Sequence, residues 1–134
     1  NKGYEFKKIK EAASGGEMSR IMLAIKSIMA KYKKLPSIIF DEIDTGVSGE
    51  ISKKMGFIMK DLGEKIQTFS ITHLPQIAAM GESHFKIYKS DVDGITKTMI
   101  SRLNENDRII EIAKMLEGNN ASKSAYTHAK QLLN

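Results

Sequence analysis

The sequence predicts an α/β fold with a mostly parallel sheet, flanking helices, and a C-terminal hairpin followed by further helices. Helical stripes of apolar residues alternate with short β-branched runs, which is typical of a parallel sheet covered by helices. Farther along, two strand-like segments are separated by a polar loop that contains glycine, a pattern that favours a hairpin. The 134 residues have the length of one domain and suffice to bury a hydrophobic core.

The first half of the chain predicts helices and strands in alternation. Residues 1–13 are rich in lysine and have strand character near Tyr4 and Phe6. From Met18 onward, apolar residues recur at steps of three and four, and this helical stripe ends before Pro36. The methionines of the helices are expected to fill the core. The predicted elements are a helix from Ser14 to about Lys34, a buried parallel strand at 37–40, a helix from about Ile51 to Gly63, a strand at 66–72 and a short helix from Pro75 to about Met80.

The second half predicts a hairpin and two helices. Two apolar runs, at 84–89 and 95–102, flank a loop at 90–94 whose Asp and Gly residues are typical of hairpin turns. Helical patterns then cover residues 105–116 and 121–133, with a Gly-Asn-Asn break between them.

Composition narrows the class of protein. Hydrophobic residues make up 41% and charged residues 28% of the chain, and no apolar run approaches the roughly 20 residues of a membrane helix, so we expect no membrane partner. The chain begins with Asn1 rather than Met, which indicates a piece of a longer protein. It has no cysteine, which excludes disulfides and fits a reducing cytoplasm. The net charge of +5 is compatible with a nucleic-acid partner, but a solvated surface rich in lysine is the favoured explanation.

The segment Ser14-Gly15-Gly16-Glu17 is the first candidate site. Ser14 at the N-cap and Glu17 three residues later match a capping box, which has a purely structural role. A capping box does not explain two consecutive glycines, each of which costs up to about 1 kcal/mol relative to alanine inside a helix. Glycines suit a position where another group approaches the backbone, and a helix N-terminus binds anions. The segment therefore favours phosphate binding over capping alone.

Two later strands end in residues that suit nucleotide hydrolysis. The first ends at Asp41-Glu42, where an aspartate can hold Mg²⁺ and a glutamate can activate water. The other interpretation is an acidic strand exit that pairs with a helix start. The later strand ends at His73, which by itself is also explained as a structural histidine. His73, His84 and His128 are too far apart in the sequence to indicate a metal cluster.

Taken in order, these motifs resemble the ATP-binding-cassette ATPases of the SMC-like branch. The signature motif, Walker B, the D-loop and the switch histidine are matched by Ala13–Glu17, Ile38–Glu42, Asp44–Gly46 and Thr72-His73. Longer segments, at 14–20, 40–49, 72–78 and in the tail from Arg102, are similar to the RecN family of bacterial DNA repair proteins. The resemblance covers about residues 10–134. It implies that residues 1–134 are the C-terminal lobe of an ATPase head, a partial P-loop NTPase fold.

The resemblance also implies roles for the motif residues. In the family, ATP and Mg²⁺ lie between two heads, so each site needs a homodimer of heads and the N-terminal Walker A half of the same protein. The implied roles are ATP binding for the opposing head by Ser14, Gly15, Gly16 and Glu17, support of Mg²⁺ by Asp41 directly or through water, polarisation of water by Glu42, communication across the dimer by Asp44 and sensing of the γ-phosphate by His73.

The implied function is DNA double-strand-break repair and recombination in the bacterial cytoplasm, in association with the nucleoid and with DNA as a partner. Two alternatives stay open: the head lobe of another SMC-type ATPase, and a non-catalytic interaction domain that retains the fold. The sequence has no G-x-x-x-x-G-K-[ST] loop, so we expect this chain alone not to hydrolyse ATP.

The family also predicts a gap in the sheet. Its P-loop strand lies between the strand that ends at Thr72 and the strand that begins near His84. Because this sequence lacks that strand, we expect either direct pairing of the two flanking strands or filling of the gap. A neighbouring copy or residues 1–10 would then fill it, and we favour filling over direct pairing.

Overall fold

A computed structural model of the chain describes residues 8–92 and 94–134. Its contacts divide the chain into two compact units, one ending at Leu74 and the other comprising Pro75–Asn134. Each of the two units has buried apolar residues of its own, and the assignment of residues 1–134 to one domain stays a prediction. The strand character predicted near Tyr4 and Phe6 falls outside the described residues.

The first unit has the predicted order of helices and strands. Its elements are α1 (Ile9–Ala12), α2 (Gly15–Tyr32), β1 (Ser37–Asp41), α3 (Gly49–Gly63) and β2 (Gln67–Ile71). The short helix α1 was not predicted. β1 and β2 pair in parallel, with Ser37 opposite Gln67 and Asp41 opposite Ile71. The two strands therefore end at the same edge of the sheet.

The core of the first unit lies on one face of this sheet. Phe40 of β1, Leu23 of α2 and Leu62 of α3 are almost completely buried. The prediction that the methionines of the helices fill the core is only partly correct, because Met22 and Met29 of α2 are exposed. Met55 and Met59 are buried, but the following side chains are exposed: Ile21, Met22, Ile25, Ile28, Met29, Tyr32, Ile51 and Ile58. The inward line of α2 has a seven-residue spacing, from Gly16 through Leu23 to Ala30.

The opposite face of the same sheet is apolar and open. Ile39, Phe69 and Ile71 are 58%, 47% and 46% exposed. Ile39 lies opposite Phe69 in the register, and side chains alternate along a strand, so all three share the face that Phe40 does not. The prediction of a buried strand is thus only partly correct for β1, because among the described residues Phe40 is covered and Ile39 is not.

The second unit combines the hairpin with the last helices. Its elements are α4 (Pro75–Ala78), β3 (Phe85–Val92), β4 (Ile95–Arg102), α5 (Glu105–Glu117) and α6 (Lys123–Leu133). The predicted loop at 90–94 is too long, because Ser90 to Val92 continue the antiparallel ladder opposite Ile95 to Lys97. Ile112 and Ala113 of α5 pack in one buried cluster with Ala125 and Ala129 of α6 and with Ala79. The alanines allow the two helices to approach closely.

Among the described residues, β1 pairs with β2 and β3 pairs with β4. Direct pairing of the strands that flank the expected gap is therefore not observed. Filling of the gap by residues 1–10 concerns a segment largely outside the described residues, and filling by a neighbouring copy stays a prediction. Within the part of the chain that the structure describes, no helix is both long and apolar enough to cross a bilayer.

Candidate functional site

The first turn of α2 contains the predicted capping box. Ser14 is the N-cap, and the Glu17 N–H donates to its hydroxyl at 3.4 Å. In return, the Ser14 N–H and hydroxyl both donate to Glu17 Oε2 at 2.8 Å. These bonds, the backbone one first, lower the pKa of the Glu17 carboxyl below its ordinary value. Glu17 is thus engaged within its own helix.

The two glycines of this turn have different surroundings. A Cβ on Gly16 would overlap the carbonyl oxygen of Gly46, so close packing of two backbones requires glycine there. A Cβ on Gly15 would meet nothing within 4 Å. Packing within this chain therefore explains the glycine at position 16 but not the one at position 15. For Gly15, the prediction that the glycine leaves room for an approaching group stays open.

The ends of β1 and β2 bring three predicted residues to one edge of the sheet. Asp41 closes β1, Glu42 follows it, and His73 follows the end of β2; all three are exposed. Glu42 has a φ of 44°, which is unusual for a residue other than glycine. Its N–H donates to the Ile71 carbonyl at 3.0 Å, so the bond to β2 holds this conformation. Strained backbone of this kind is concentrated at functional sites.

Residues 42–48, which we call the Asp44 loop, connect β1 to α3. Asp44 is 1% exposed, and its Oδ2 accepts a hydrogen bond from the hydroxyl of Thr72. Its Oδ1 has no hydrogen-bond partner among the described residues. The side chain thus points into the first unit rather than to solvent. The sequence analysis includes Thr72 in the match to the switch histidine but gives it no role, and its contact with Asp44 becomes visible only in the structure.

The same loop contacts the start of α2. The hydroxyl of Ser19 lies 2.9 Å from the Thr45 carbonyl oxygen and 3.0 Å from the Gly15 carbonyl oxygen, so these two acceptors share its single proton. Gly46, at φ 74°, packs against Gly16. The Asp44 loop therefore joins the predicted signature segment to the strand ends that carry Glu42 and His73.

The acidic pair offers few ligands for a metal on its own. Among the described residues, no group of three or more His, Cys, Asp or Glu side chains is placed to hold a metal ion. Mg²⁺ in nucleotide sites commonly uses one or two carboxylates and takes its other ligands from water and phosphates. The exposed Asp41-Glu42 pair fits such a site.

Known proteins resemble this chain in fold and in sequence. One solved structure, from work on ATP-driven dimerization and DNA-stimulated activation of SMC ATPases, has a TM-score of 0.57 and 29% identity, covering 81% of this chain and 66% of that chain. A second, an SMC head bound to the C-winged helix domain of ScpA, has a TM-score of 0.59 and 30% identity, covering 78% and 31%. These structures define the class: the fold is that of an SMC-type ATPase head.

Sequence relatives identify the branch of that class. Over 133 residues, 99% of its length, the chain is 42% identical to the DNA repair protein RecN of Bacillus subtilis, 41% to that of Xylella fastidiosa and 40% to that of Vibrio cholerae. The chain belongs to the RecN family, which confirms the resemblance seen in the motifs. It spans about a quarter of the length of these relatives, 23% to 24%. No protein-family model matches the chain.

Proposed function

We propose that this chain is the C-terminal lobe of the ATPase head of a RecN-like protein of DNA double-strand-break repair. It supplies a signature motif and a hydrolytic glutamate to ATP sandwiched between two heads. One observation carries the proposal: the Asp44 loop joins the start of α2 to the sheet edge that bears Asp41, Glu42 and His73. An interaction domain without chemistry has no need to keep this arrangement.

The roles divide between the two heads of a homodimer. Glu42 and His73 serve the ATP of their own head, the glutamate by orienting and deprotonating water and the histidine by contacting the γ-phosphate. Ser14 and Gly15 serve the ATP of the opposing head. The open space beside Gly15 and the N–H groups of the first turn of α2 suit an approaching phosphate.

The remaining parts of the site come from the rest of the protein. The N-terminal Walker A half would bring the loop that cradles the phosphates, and Asp41 would hold Mg²⁺ with them, directly or through water. Mg²⁺, when bound, supplies positive charge that offsets the charge of the phosphates. The open face formed by Ile39, Phe69 and Ile71 fits burial against that half. ATP-driven closure of the heads would act on DNA in the bacterial cytoplasm, at the nucleoid.

A substitution at Glu42 tests the proposal in the full-length protein. Glu42→Gln keeps the shape of the side chain and removes the base, so we expect ATP binding and head dimerisation to persist while hydrolysis is lost. Turnover and ATP affinity are measured together. Wild-type turnover in Glu42→Gln would refute the proposed role and favour a lobe that retains the fold without chemistry.

A substitution at Ser14 tests the division between heads. Ser14→Arg places a bulky cation where the opposing nucleotide would lie, so we expect ATP binding to persist and ATP-driven dimerisation to weaken. Sedimentation with and without ATP reports the dimer. Loss of ATP binding by monomeric heads would show that Ser14 serves the ATP of its own head.

A further inference from the structure

The residue before His73 is held at two points. The Thr72 hydroxyl donates to buried Asp44 and accepts a hydrogen bond from the Leu74 N–H at 2.9 Å. His73 lies between the residues that make this second bond, so its backbone is enclosed in a short turn closed by a threonine side chain. One hydroxyl thus fixes both the end of β2 and the turn that presents the histidine.

Asp44 is itself anchored. The Glu42 N–H donates a hydrogen bond to the Ile71 carbonyl of β2, which holds the start of the Asp44 loop. Within the loop, the Thr45 hydroxyl donates to the Glu42 carbonyl at 2.9 Å. The Ser19 hydroxyl of α2 donates to the Thr45 carbonyl. The close approach of Gly46 to Gly16 limits movement at the other side of the loop. Its carboxylate is therefore a fixed point for Thr72.

The burial of Asp44 is costly for stability alone. A carboxyl group removed from water needs hydrogen bonds to compensate, and among the described residues Thr72 is the only side chain that bonds to it. An apolar side chain of similar size would fill the same space without that cost. The group is better explained by the position that it gives to Thr72.

We propose that Asp44 and Thr72 are positioning residues that act through His73 by holding the histidine turn in the geometry needed for hydrolysis. The inference rests on the proposed function and adds the means by which His73 is placed. It assigns Asp44 a role within its own head, whereas the family resemblance implies a role across the dimer.

The test uses three variants of the full-length protein. Thr72→Val keeps the shape and loses the hydroxyl, while Thr72→Ser keeps the hydroxyl. Thr68→Val is the matched control, because Thr68 lies on β2 just before Thr72, and its hydroxyl donates to the Ile66 carbonyl at 3.0 Å, away from Asp44 and His73. We expect kcat to fall roughly ten- to a hundredfold in Thr72→Val, as small misplacements of catalytic groups do, with the Kd for ATP within about twofold. We expect Thr72→Ser and Thr68→Val to keep their turnover.

A second comparison distinguishes a role of Thr72 that acts through His73 from a role in the stability of the whole fold. In a His73→Ala background, Thr72→Val should cause no further loss of kcat, because the residue through which it acts is gone. An equal additional loss there, or a Thr72→Ser protein as impaired as Thr72→Val, would overturn the inference. If Thr72→Val does not fold, Thr72→Ala removes the same hydroxyl without the branched side chain and is read in the same way.

Failure of the inference differs from failure of the proposed function. If Glu42→Gln abolishes turnover while Thr72→Val and Thr72→Ala match the wild type, only the positioning role is wrong. If Glu42→Gln hydrolyses ATP as fast as the wild type, the proposed function fails, and the positioning role fails with it.

Discussion

At Gly16 the backbone of α2 meets the backbone of the Asp44 loop with no space for a side chain, whereas the neighbouring Gly15 faces open space. The two adjacent glycines of this motif therefore have different surroundings. Gly16 is needed by this chain for its own packing. A methyl group on Gly15 would meet nothing within 4 Å, so the prediction that this glycine leaves room for a ligand stays a prediction.

This difference predicts opposite outcomes for two alanine substitutions. Gly16→Ala should lower the free energy of unfolding by about 1–3 kcal/mol, because the new methyl group overlaps the Gly46 carbonyl. Gly15→Ala should leave the free energy of unfolding unchanged or raise it by up to about 1 kcal/mol, because alanine favours the helix and its methyl group meets nothing. Urea unfolding measures both. In the full-length protein, Gly15→Ala should nonetheless weaken ATP-driven dimerisation, and equal stability losses for the two variants would contradict the packing described.

His84 makes stability depend on pH. Burial first, and then the charge of Arg108, lower the pKa of His84 below its ordinary value of 6.5. The neighbouring Glu111 carboxylate raises it in part, although its main partner is Lys86 Nζ at 2.6 Å. The unfolded chain therefore binds a proton at His84 at a higher pH than the folded chain does. The stability that the uncharged His84 contributes is fully present above 6.5, the pKa of His84 in the unfolded chain. It is lost as the pH falls through 6.5 toward the lower pKa of the folded chain.

The expected measurement is a thermal midpoint that declines between about pH 7.5 and 5.5 and declines less in His84→Gln. His128→Gln, at an exposed position of α6, is the matched control and should keep the decline of the wild type. A midpoint with the same pH dependence in all three proteins would remove His84 as the cause.

Among the elements, the helices of the second unit are the clearest in the sequence. Asn104 and Ser122 cap α5 and α6 through hydrogen bonds to the Asp107 and Ala125 N–H groups. Both helices bury a narrow line of side chains against each other. The helical pattern and the Gly118-Asn-Asn120 break predicted both elements, and the two caps are features that the structure adds.

Two substitutions in α5 test which face holds the unit together. Ile112→Ala should cost about 2–5 kcal/mol, because Ile112 is fully buried between the helices. Ile110→Ala, two residues earlier and 38% exposed, should cost about 1 kcal/mol or less. Denaturant unfolding with a probe in the second unit compares them. Similar costs at the two positions would mean that the helix buries a different face.

The sequence was less informative about which face of an element is buried. The apolar stripe of α2 predicts burial, but Leu23 and Ala30 face the core while Ile25 and Ile28 face solvent. Apolar periodicity predicts that one face of a helix is buried in the whole protein. It does not predict whether the residues that bury this face belong to the same segment of the chain. The motifs at Ser14, Asp41 and His73 could be predicted because each is a short continuous segment, and their roles stay predictions. The contact between Asp44 and Thr72 joins positions 28 residues apart, which the sequence pattern does not show.

For the whole molecule, the open face of the sheet and the partial coverage of the RecN relatives both lead us to expect that this chain needs a further part of the protein for ATP hydrolysis. The chain spans 23% to 24% of those relatives and lacks a loop to cradle phosphates. Phosphoryl transfer depends chiefly on positioning and electrostatics, so without that loop we expect negligible ATP turnover by this chain alone. A turnover assay with Mg²⁺ checks this. Measurable hydrolysis that Glu42→Gln abolishes would show that the Walker A half is dispensable.

The central claim is that each ATP is completed by residues of two heads. Full-length Ser14→Arg and Glu42→Gln proteins should each be inactive in hydrolysis. In a mixed dimer of the two, one site combines the wild-type Glu42 of one head with the wild-type Ser14 of the other, and the second site carries both changes.

Mixing these two variants in equal amounts, with exchange of subunits, is the measurement that tests this claim most directly. We predict that turnover returns to about a quarter of the wild-type rate, since half of the dimers are mixed and each has one intact site. A mixture of Glu42→Gln and His73→Ala is the control and should show no more turnover than the mean of its two components, because both residues serve the ATP of their own head. A Ser14→Arg and Glu42→Gln mixture as inactive as its components would contradict the account.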